Sequence, residues 1–489
     1  MNNTDKKTSS WIEKAVPFAL LIVSVLSASA QLTTNLPPSP IVQFWGGGQD
    51  TMVLLADGSV WTWGSNVAGK LGNNQSSANY GDNSFDSYLP VKVHGPGNVG
   101  YLNSIIAVSA GEAVNTALRA DGTVWAWGDN EFAQLGNGTT NDAWTPVQVI
   151  GLTNIVGISG RGYHTLALKS DGTVWAWGWN YYGQLGIGST ATVLVPRQVL
   201  GITNPAAISA CYSTSLVLMP NGTVEMWGTD KVGEMGQGGF GFHSYTPIPV
   251  PGISNVLSIS GDFQEPEALK SDGSIWMWGY NNLGQLGIGT TNNTNIPMQV
   301  LNLTNMIFAG VTGDRNNCAI RTDHTVWIWG RNYNGQLGNG MTDSVAHPFP
   351  EPMAAFGNAT VVAVQTPDWQ SLALESDGTM WSWGSNPHGQ LGNGTTNDAW
   401  SPGLVLWPVV AAPTPILLTG ATLPDGSFQI NFTNNPGTLF AVLTTTNLSW
   451  PMNRWTAAGT ASEVAAGQFQ FTESSTVTIP RRFYSVRTP

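Results

Sequence analysis

Thr165-Leu166-Ala167-Leu168-Lys169-Ser170-Asp171-Gly172-Thr173-Val174-Trp175-Ala176-Trp177-Gly178 is the stretch on which the fold turns. Two strand-like runs flank an Asp-Gly pair, and the second run ends in Trp-x-Trp-Gly. Asp-Gly accepts the positive φ of a type I′ turn, so the spacing predicts a two-residue hairpin. Alternation sends Val174 and Ala176 to one face and Trp175 and Trp177 to the other. Both faces are apolar, so both must be covered, and stacked sheets supply that cover. Working outward, residues 155–159 read as strand A, 165–169 as strand B and 173–177 as strand C. Residues 147–150 read as strand D of the preceding unit.

The same unit recurs. Its second Trp falls at Trp63, Trp127, Trp177, Trp227, Trp278, Trp329 and Trp383, at intervals of 64, 50, 50, 51, 51 and 54. Seven units of about fifty residues point to a propeller or a solenoid. Two insertions, within 72–90 and 93–108, lengthen the first interval. The turn pair returns as Asp57-Gly58, Asp121-Gly122, Asn221-Gly222, Asp272-Gly273 and Asp377-Gly378. The sixth unit departs with Asp323-His324, and His at positive φ is uncommon but allowed. After strand C comes Gly183-Gln184-Leu185-Gly186-Ile187-Gly188, repeated at 284–289, 335–340 and 389–394. It lacks the strand-to-helix context and the Lys-Ser/Thr ending of a phosphate loop, so these read as turn glycines. In the fourth unit Glu225 replaces the first Trp; if buried, it needs a partner.

These residues, from Ile155 through His164-Thr165, Asp171-Gly172 and Trp175-Ala176-Trp177-Gly178 to Gly183-Gln184-Leu185-Gly186, resemble the regulator of chromosome condensation repeat family. The resemblance covers about 41 to 407. It implies an all-β chain built on a seven-bladed β-propeller. A closed ring also hides the edge strands that an open array would expose. Functions in that family include nucleotide exchange on a small nuclear GTPase, light sensing, enzyme inhibition and protein binding. The Gly-Trp-Arg-His-Thr motif of the plant ultraviolet receptors is missing; the nearest string is Gly162-Tyr163-His164-Thr165. A secreted bacterial member, including an inhibitor of the β-lactamase-inhibitor type, is more similar in compartment and acidity.

Composition narrows the function classes. Of 489 residues, 10% are charged, against about 25% in an average protein. The net charge of −12 excludes a nucleic-acid binder that works through a basic surface. Lys6, Lys7 and Lys14 precede an apolar run at 15–26, and Ala28-Ser29-Ala30 follows. That pattern predicts a secretory signal peptide over 1–30 and a secreted or envelope-associated chain. The run is shorter than the roughly 20 apolar residues of a membrane span, so no transmembrane segment is expected after cleavage. Residues 31–40 read as a short linker, 41–407 as the propeller and 408–415 as a Pro/Ala-rich linker. Residues 416–489 read as a small β-sandwich domain, from the alternation at 428–432 and 468–471. That domain resembles C-terminal domains of secreted bacterial repeat proteins at Thr445-Thr446-Asn447-Leu448, Trp455 and Phe483-Tyr484. Its expected role is end-capping or surface attachment.

Cys211 and Cys318 fall in units four and six, a whole blade apart, so no disulfide is expected. Neither has a Cys-x-x-Cys neighbour, and the six histidines show no ligand spacing. No metal or other cofactor is expected, and the chain is expected to be a monomer.

In a four-stranded antiparallel blade the A–B and C–D loops emerge on one side and the B–C and D–A loops on the other. The B–C and D–A loops are nearly uniform here, whereas the A–B and C–D loops differ from unit to unit. They bring Arg161, Tyr163, Tyr212, Phe263, Arg315 and Trp369, and then Trp179, Tyr181, Tyr182 and Tyr333. Aromatic and Arg side chains are enriched where binding energy concentrates. These ten residues are therefore the candidate contacts for a protein or glycan partner. The rival reading is a glycan-active enzyme with Asp262, Glu265, Asp314 and Asp368 in a central funnel, which needs two carboxyls about 5 to 10 Å apart. No nucleophile elbow or His-Glu-x-x-His motif is present, and His164 sits at a repeat-consensus position.

Overall fold

Strand C explains the ring. In the computed structural model the second Trp of every unit is fully buried. Its indole N–H donates to a backbone carbonyl of the preceding blade. Trp127 donates to Lys70 O (2.9 Å), Trp177 to Gln134 O (2.9 Å) and Trp227 to Gln184 O (2.7 Å). Trp278 donates to Glu234 O (2.8 Å), Trp329 to Gln285 O (2.7 Å) and Trp383 to Gln336 O (2.7 Å). Trp63 of the first blade donates to Gln390 O of the last at 2.8 Å, which closes the circle. A buried indole must place its N–H, and here each one ties a blade to its neighbour.

The structure describes residues 36–408 except 80, 113, 314 and 357–359, together with 419–423, 427–433, 440–445, 456–465, 468–473 and 483–487. The signal-peptide expectation at 1–30 falls outside these residues, as does most of the 408–415 linker. No helix among the described residues is long and apolar enough to cross a membrane. The chain divides into two compact units, one of them ending at Pro408.

Residues 41–404 form seven four-stranded antiparallel sheets, each running A to D in chain order. In the third blade the strands are Ile155–Arg161, His164–Lys169, Val174–Gly178 and Val193–Gln198. Apolar clusters lie between blades rather than within them. Phe44, Val53 and Trp63 of blade 1, for example, pack with Leu372, Met380 and Trp407 at the seam with blade 7. Trp407 meets Trp61 and Trp63 edge-on at 6.0 and 5.9 Å and ends the propeller.

Two local expectations need correction. The Asp-Gly hairpin is not a two-residue type I′ turn. Gly172 N–H donates to Lys169 O and Lys169 N–H to Thr173 O, both 2.9 Å, so Ser170-Asp171-Gly172 form a three-residue loop. Only Gly172 has positive φ, +82°. That is a type I turn followed by a left-handed residue. Asp171 contributes its carboxylate, accepting from Thr173 N at 3.0 Å and Thr173 Oγ1 at 2.6 Å. His324 takes the glycine position in blade 6 with φ of 66°, as expected there. The outer strand begins earlier than 147, at Ala143, and runs to Gln148. Pro146 lies inside it, and every outer strand carries a proline at its fourth residue. An edge strand tolerates a residue without an N–H, and the proline discourages pairing with another chain.

The two cysteines are free and buried in different inter-blade clusters. Burial pushes the Cys211 thiol up to about 12. In the C-terminal unit the described strands form one six-stranded antiparallel sheet. Its long strand Thr456–Ala465 changes partner along its length. Residues 456–461 pair with Phe440–Thr445 and 462–465 with Gln468–Glu473. Ile430, Phe432, Val442, Ala461 and Phe469 form its core.

Candidate binding face

The loop after strand C is stapled by two side chains, which leaves the residues between them free to vary. In blade 3 Asn180 Oδ1 accepts from Leu185 N at 2.9 Å, and its amide donates to Ser189 O and Ala191 O, both 2.9 Å. Gln184 Oε1 accepts from Tyr182 N at 3.0 Å. Gly186 cannot carry a Cβ, which would lie 2.7 Å from Trp227 Nε1. Held this way, Trp179, Tyr181 and Tyr182 project from a rigid loop.

They join a continuous aromatic arc. Trp179 stacks with Tyr181 at 6.4 Å and 11°, and meets Tyr182 (5.4 Å), Tyr163 (5.9 Å) and Tyr212 (6.0 Å) edge-on. Tyr212 continues to Phe263 at 4.8 Å, and Phe132 of blade 2 packs on Tyr163 at 5.5 Å. Tyr182 reaches His243 at 5.7 Å. Rings from blades 2 to 5 thus form one surface, and Tyr181 stands 68% exposed. Each such pair contributes about 0.5–1.5 kcal/mol beyond burial, enough to hold the rings in place without a ligand.

The far side of the same face is built from cation–π pairs. Arg331 lies over Tyr333 at 4.9 Å and over Trp369 at 4.7 Å. Arg315 lies over Tyr280 at 5.7 Å, and within the arc itself Lys231 lies over Tyr182 at 4.1 Å. Six of the ten expected contacts therefore join the aromatic arc, and Arg315, Tyr333 and Trp369 form the second group.

Arg161 does not belong with them. It is 5% exposed and points to the ring axis. It grips both oxygens of Asp262, donates to Asp368 Oδ1 at 3.0 Å and donates to Gly46 O at 3.0 Å. Burial works against its charge, yet Asp262 and Asp368 hold the guanidinium more firmly protonated than usual. One side chain so ties blades 3, 5, 7 and 1. Beside it Lys70 pairs with Asp50 at 2.5 Å and donates to Glu112 O at 2.6 Å. The same contacts disfavour the funnel enzyme. Asp262 and Asp368 share one guanidinium, and Glu265 accepts from Gln285 Nε2 at 2.8 Å. Asp314 falls outside the described residues. His164 is fully buried, bonded to Ser215 Oγ at 2.8 Å, and burial lowers it to about 3.

Arg331, Phe132, Lys231 and His243 were not among the ten. The position after Trp-Gly holds Ser65, Asp129, Trp179, Thr229, Tyr280, Arg331 and Ser385, between residues that scarcely vary. That variability is the signal that would have found Arg331.

The family model described as regulator of chromosome condensation (RCC1) repeat matches residues 57–118, 121–168, 171–218, 272–320, 323–374 and 377–413. The chain belongs to the RCC1 repeat family. The unmatched interval, 219–271, is the unit that carries Glu225. Human E3 ubiquitin-protein ligase HERC2 is 31% identical over 154 residues, 31% of this chain but 3% of that protein. The Arabidopsis thaliana ultraviolet-B receptor UVR8 is 31% identical over 154 residues, 34% of its length. The chain therefore spans about a third of one of these relatives and 3% of the other, and the likeness lies in the repeats. Among solved structures, yeast RCC1 (Prp20) bound to Kap60 has a TM-score of 0.61 at 19% identity, covering 78% of this chain and 87% of that one. Human WBSCR16 has a TM-score of 0.60 at 21% identity, covering 72% and 94%. At such identity the likeness shows the propeller fold alone. RCC1-type propellers generally serve binding or regulation.

Proposed function

We propose that this chain is an exported, non-enzymatic binding scaffold, and that its A–B/C–D face recognises a protein or glycan partner. The aromatic arc from Phe132 to Phe263 carries the reading. Blades that agree in their packing residues differ here, and the differences converge on one surface of preordered rings. A ring that is already held loses little entropy when a partner arrives. The charged pattern at 6–14 and the Ala28-Ser29-Ala30 site support export. Inhibition of a secreted enzyme is one form such binding can take.

The test is a pull-down from the native extracellular or envelope fraction. Wild type is compared with Trp179→Ala, Tyr182→Ala and Trp369→Ala, with Thr153→Ala and Gln198→Ala on the opposite side as controls. Asn204 is unsuitable as a control, because its φ of 50° would strain an alanine. The strongest aromatic change should cost about 2 kcal/mol or more of binding. Capture lost with the controls and kept with the aromatic set would place the site on the other face.

A further inference from the structure

The two loop sets differ in charge as well as in aromatic content. Between the strands, the A–B and C–D loops hold fourteen Asp and Glu against four Lys and Arg. Of those four bases Lys70 and Arg331 are buried. The B–C loops hold six Asp and no base, and the D–A loops no charge. Those Asp are spent locally. Asp57, Asp121, Asp171, Asp272, Asp323 and Asp377 each accept from the residue two positions on. Asp121 and Asp171 also face Arg119 and Lys169, at 3.9 and 2.8 Å.

Three of these fourteen acids fall in one loop at an end of the arc. Asp129, Glu131 and Asp142 share the loop that presents Phe132, and no Lys or Arg occurs in 129–142 or in 179–192. Asp142 is pushed up by burial and then by the charges of Asp129 and Glu131. A cation arriving there relieves that repulsion. The rest of the face shows where cations settle, since Lys231, Arg315 and Arg331 all lie over its rings. In the blade 2–3 part of the arc Lys231 already covers Tyr182, whereas among the described residues no Lys or Arg lies over Trp179 or Tyr181.

From this juxtaposition we infer that the partner is a basic polypeptide, whose Lys or Arg side chains lie over Trp179 and Tyr181 beside Asp129, Glu131 and Asp142. The inference rests on the reading of this face as the binding surface and supplies the partner's chemistry. Ring faces attract cations, more strongly when water is excluded, and complementary charge speeds the encounter. Asp129 and Asp142 accept from the backbone N–H groups of Glu131 and Asn130 at 3.0 and 2.9 Å, but a neutral glycan on the rings would bring no charge to offset the three carboxylates.

Calorimetry on the full mature chain tests it with three probes: a short Arg-rich peptide, its Glu-rich counterpart and a neutral oligosaccharide. The Arg-rich peptide should bind, and its affinity should fall about tenfold or more from low to high salt, as surface charge pairing does. Glu131→Gln combined with Asp129→Asn should weaken it severalfold, and so should Trp179→Ala. Asp121→Asn on the opposite face should not, with folding of each variant checked by thermal melt. No binding of the Arg-rich peptide, or binding insensitive to all these changes, overturns the inference. Oligosaccharide binding that depends on Trp179, without peptide binding, overturns it too and leaves the binding face itself standing. Peptide binding lost with Asp121→Asn instead would overturn both.

Discussion

Residues 174–186 and 224–236 have the same backbone and different chemistry. Both hold Val, then a second Trp bonded to the preceding blade, then a glycine-bounded loop. In the later stretch Glu225 stands for Trp175, Asp230 for Asn180 and Glu234 for Gln184. A little further on, Glu267 pairs with Met277 where Leu166 pairs with Ala176. Yet Asp230 Oδ1 still accepts from Met235 N at 3.0 Å, and Glu234 Oε2 from Val232 N at 2.6 Å. The loop keeps the acceptor half of each amide and loses the donor half. The lesson is that inter-blade Trp packing and glycine geometry carry the fold, while the polar staples can change type.

If that is right, the largest effect should come from what the two stretches share. Trp177→Ala and Trp227→Ala should each destabilise by about 3–5 kcal/mol, because each removes a fully buried indole. Denaturant melts would check this, and a large disparity between the two would break the equivalence.

Second comes Glu267 of blade 5, outside both stretches, which takes the place that Leu166 holds in blade 3 and Leu216 in blade 4. Burial raises its carboxyl to about 8, with Ser260 Oγ at 2.7 Å as its hydrogen-bond partner. The folded state therefore keeps its proton after the unfolded chain has released it. The contribution of Glu267 to stability is full below about pH 4.5 and is lost as pH rises towards 8, on the order of a few kcal/mol. Burial shifts Asp230 and Glu234 in the same direction. Glu267→Gln should flatten the profile, and an unchanged slope would remove this acid from the account.

A smaller effect is expected at Glu225. It is half-buried, forms no hydrogen bond or ion pair among the described residues, and is raised by burial. Glu225→Trp should raise the thermal midpoint by a few degrees, roughly 1 kcal/mol. A clear drop would show that the acid is wanted there.

The repeat made the ring legible: the spacing of Trp63 through Trp383 marked seven blades, and strand alternation assigned loops to faces. The aromatic arc was legible for the same reason, since register alone brings Tyr163, Trp179 and Tyr212 together. Arg161 was misplaced because register says which loop a side chain belongs to, not whether it turns outward or across the axis. That choice depends on Asp262 and Asp368, 101 and 207 residues away. The turn type was misread because Asp-Gly suits two hairpin geometries, and Thr173, whose N–H and Oγ1 both donate to the Asp171 carboxylate, favours the three-residue loop.

The most direct test of the binding face is hydrogen–deuterium exchange on the full chain, alone and with the partner captured in the pull-down. Protection should appear at 129–142, 179–192, 211–213 and 229–243, and not at 151–154 or 199–206. Protection confined to 151–154 and 199–206, or to the sheet within 419–487, would contradict the account.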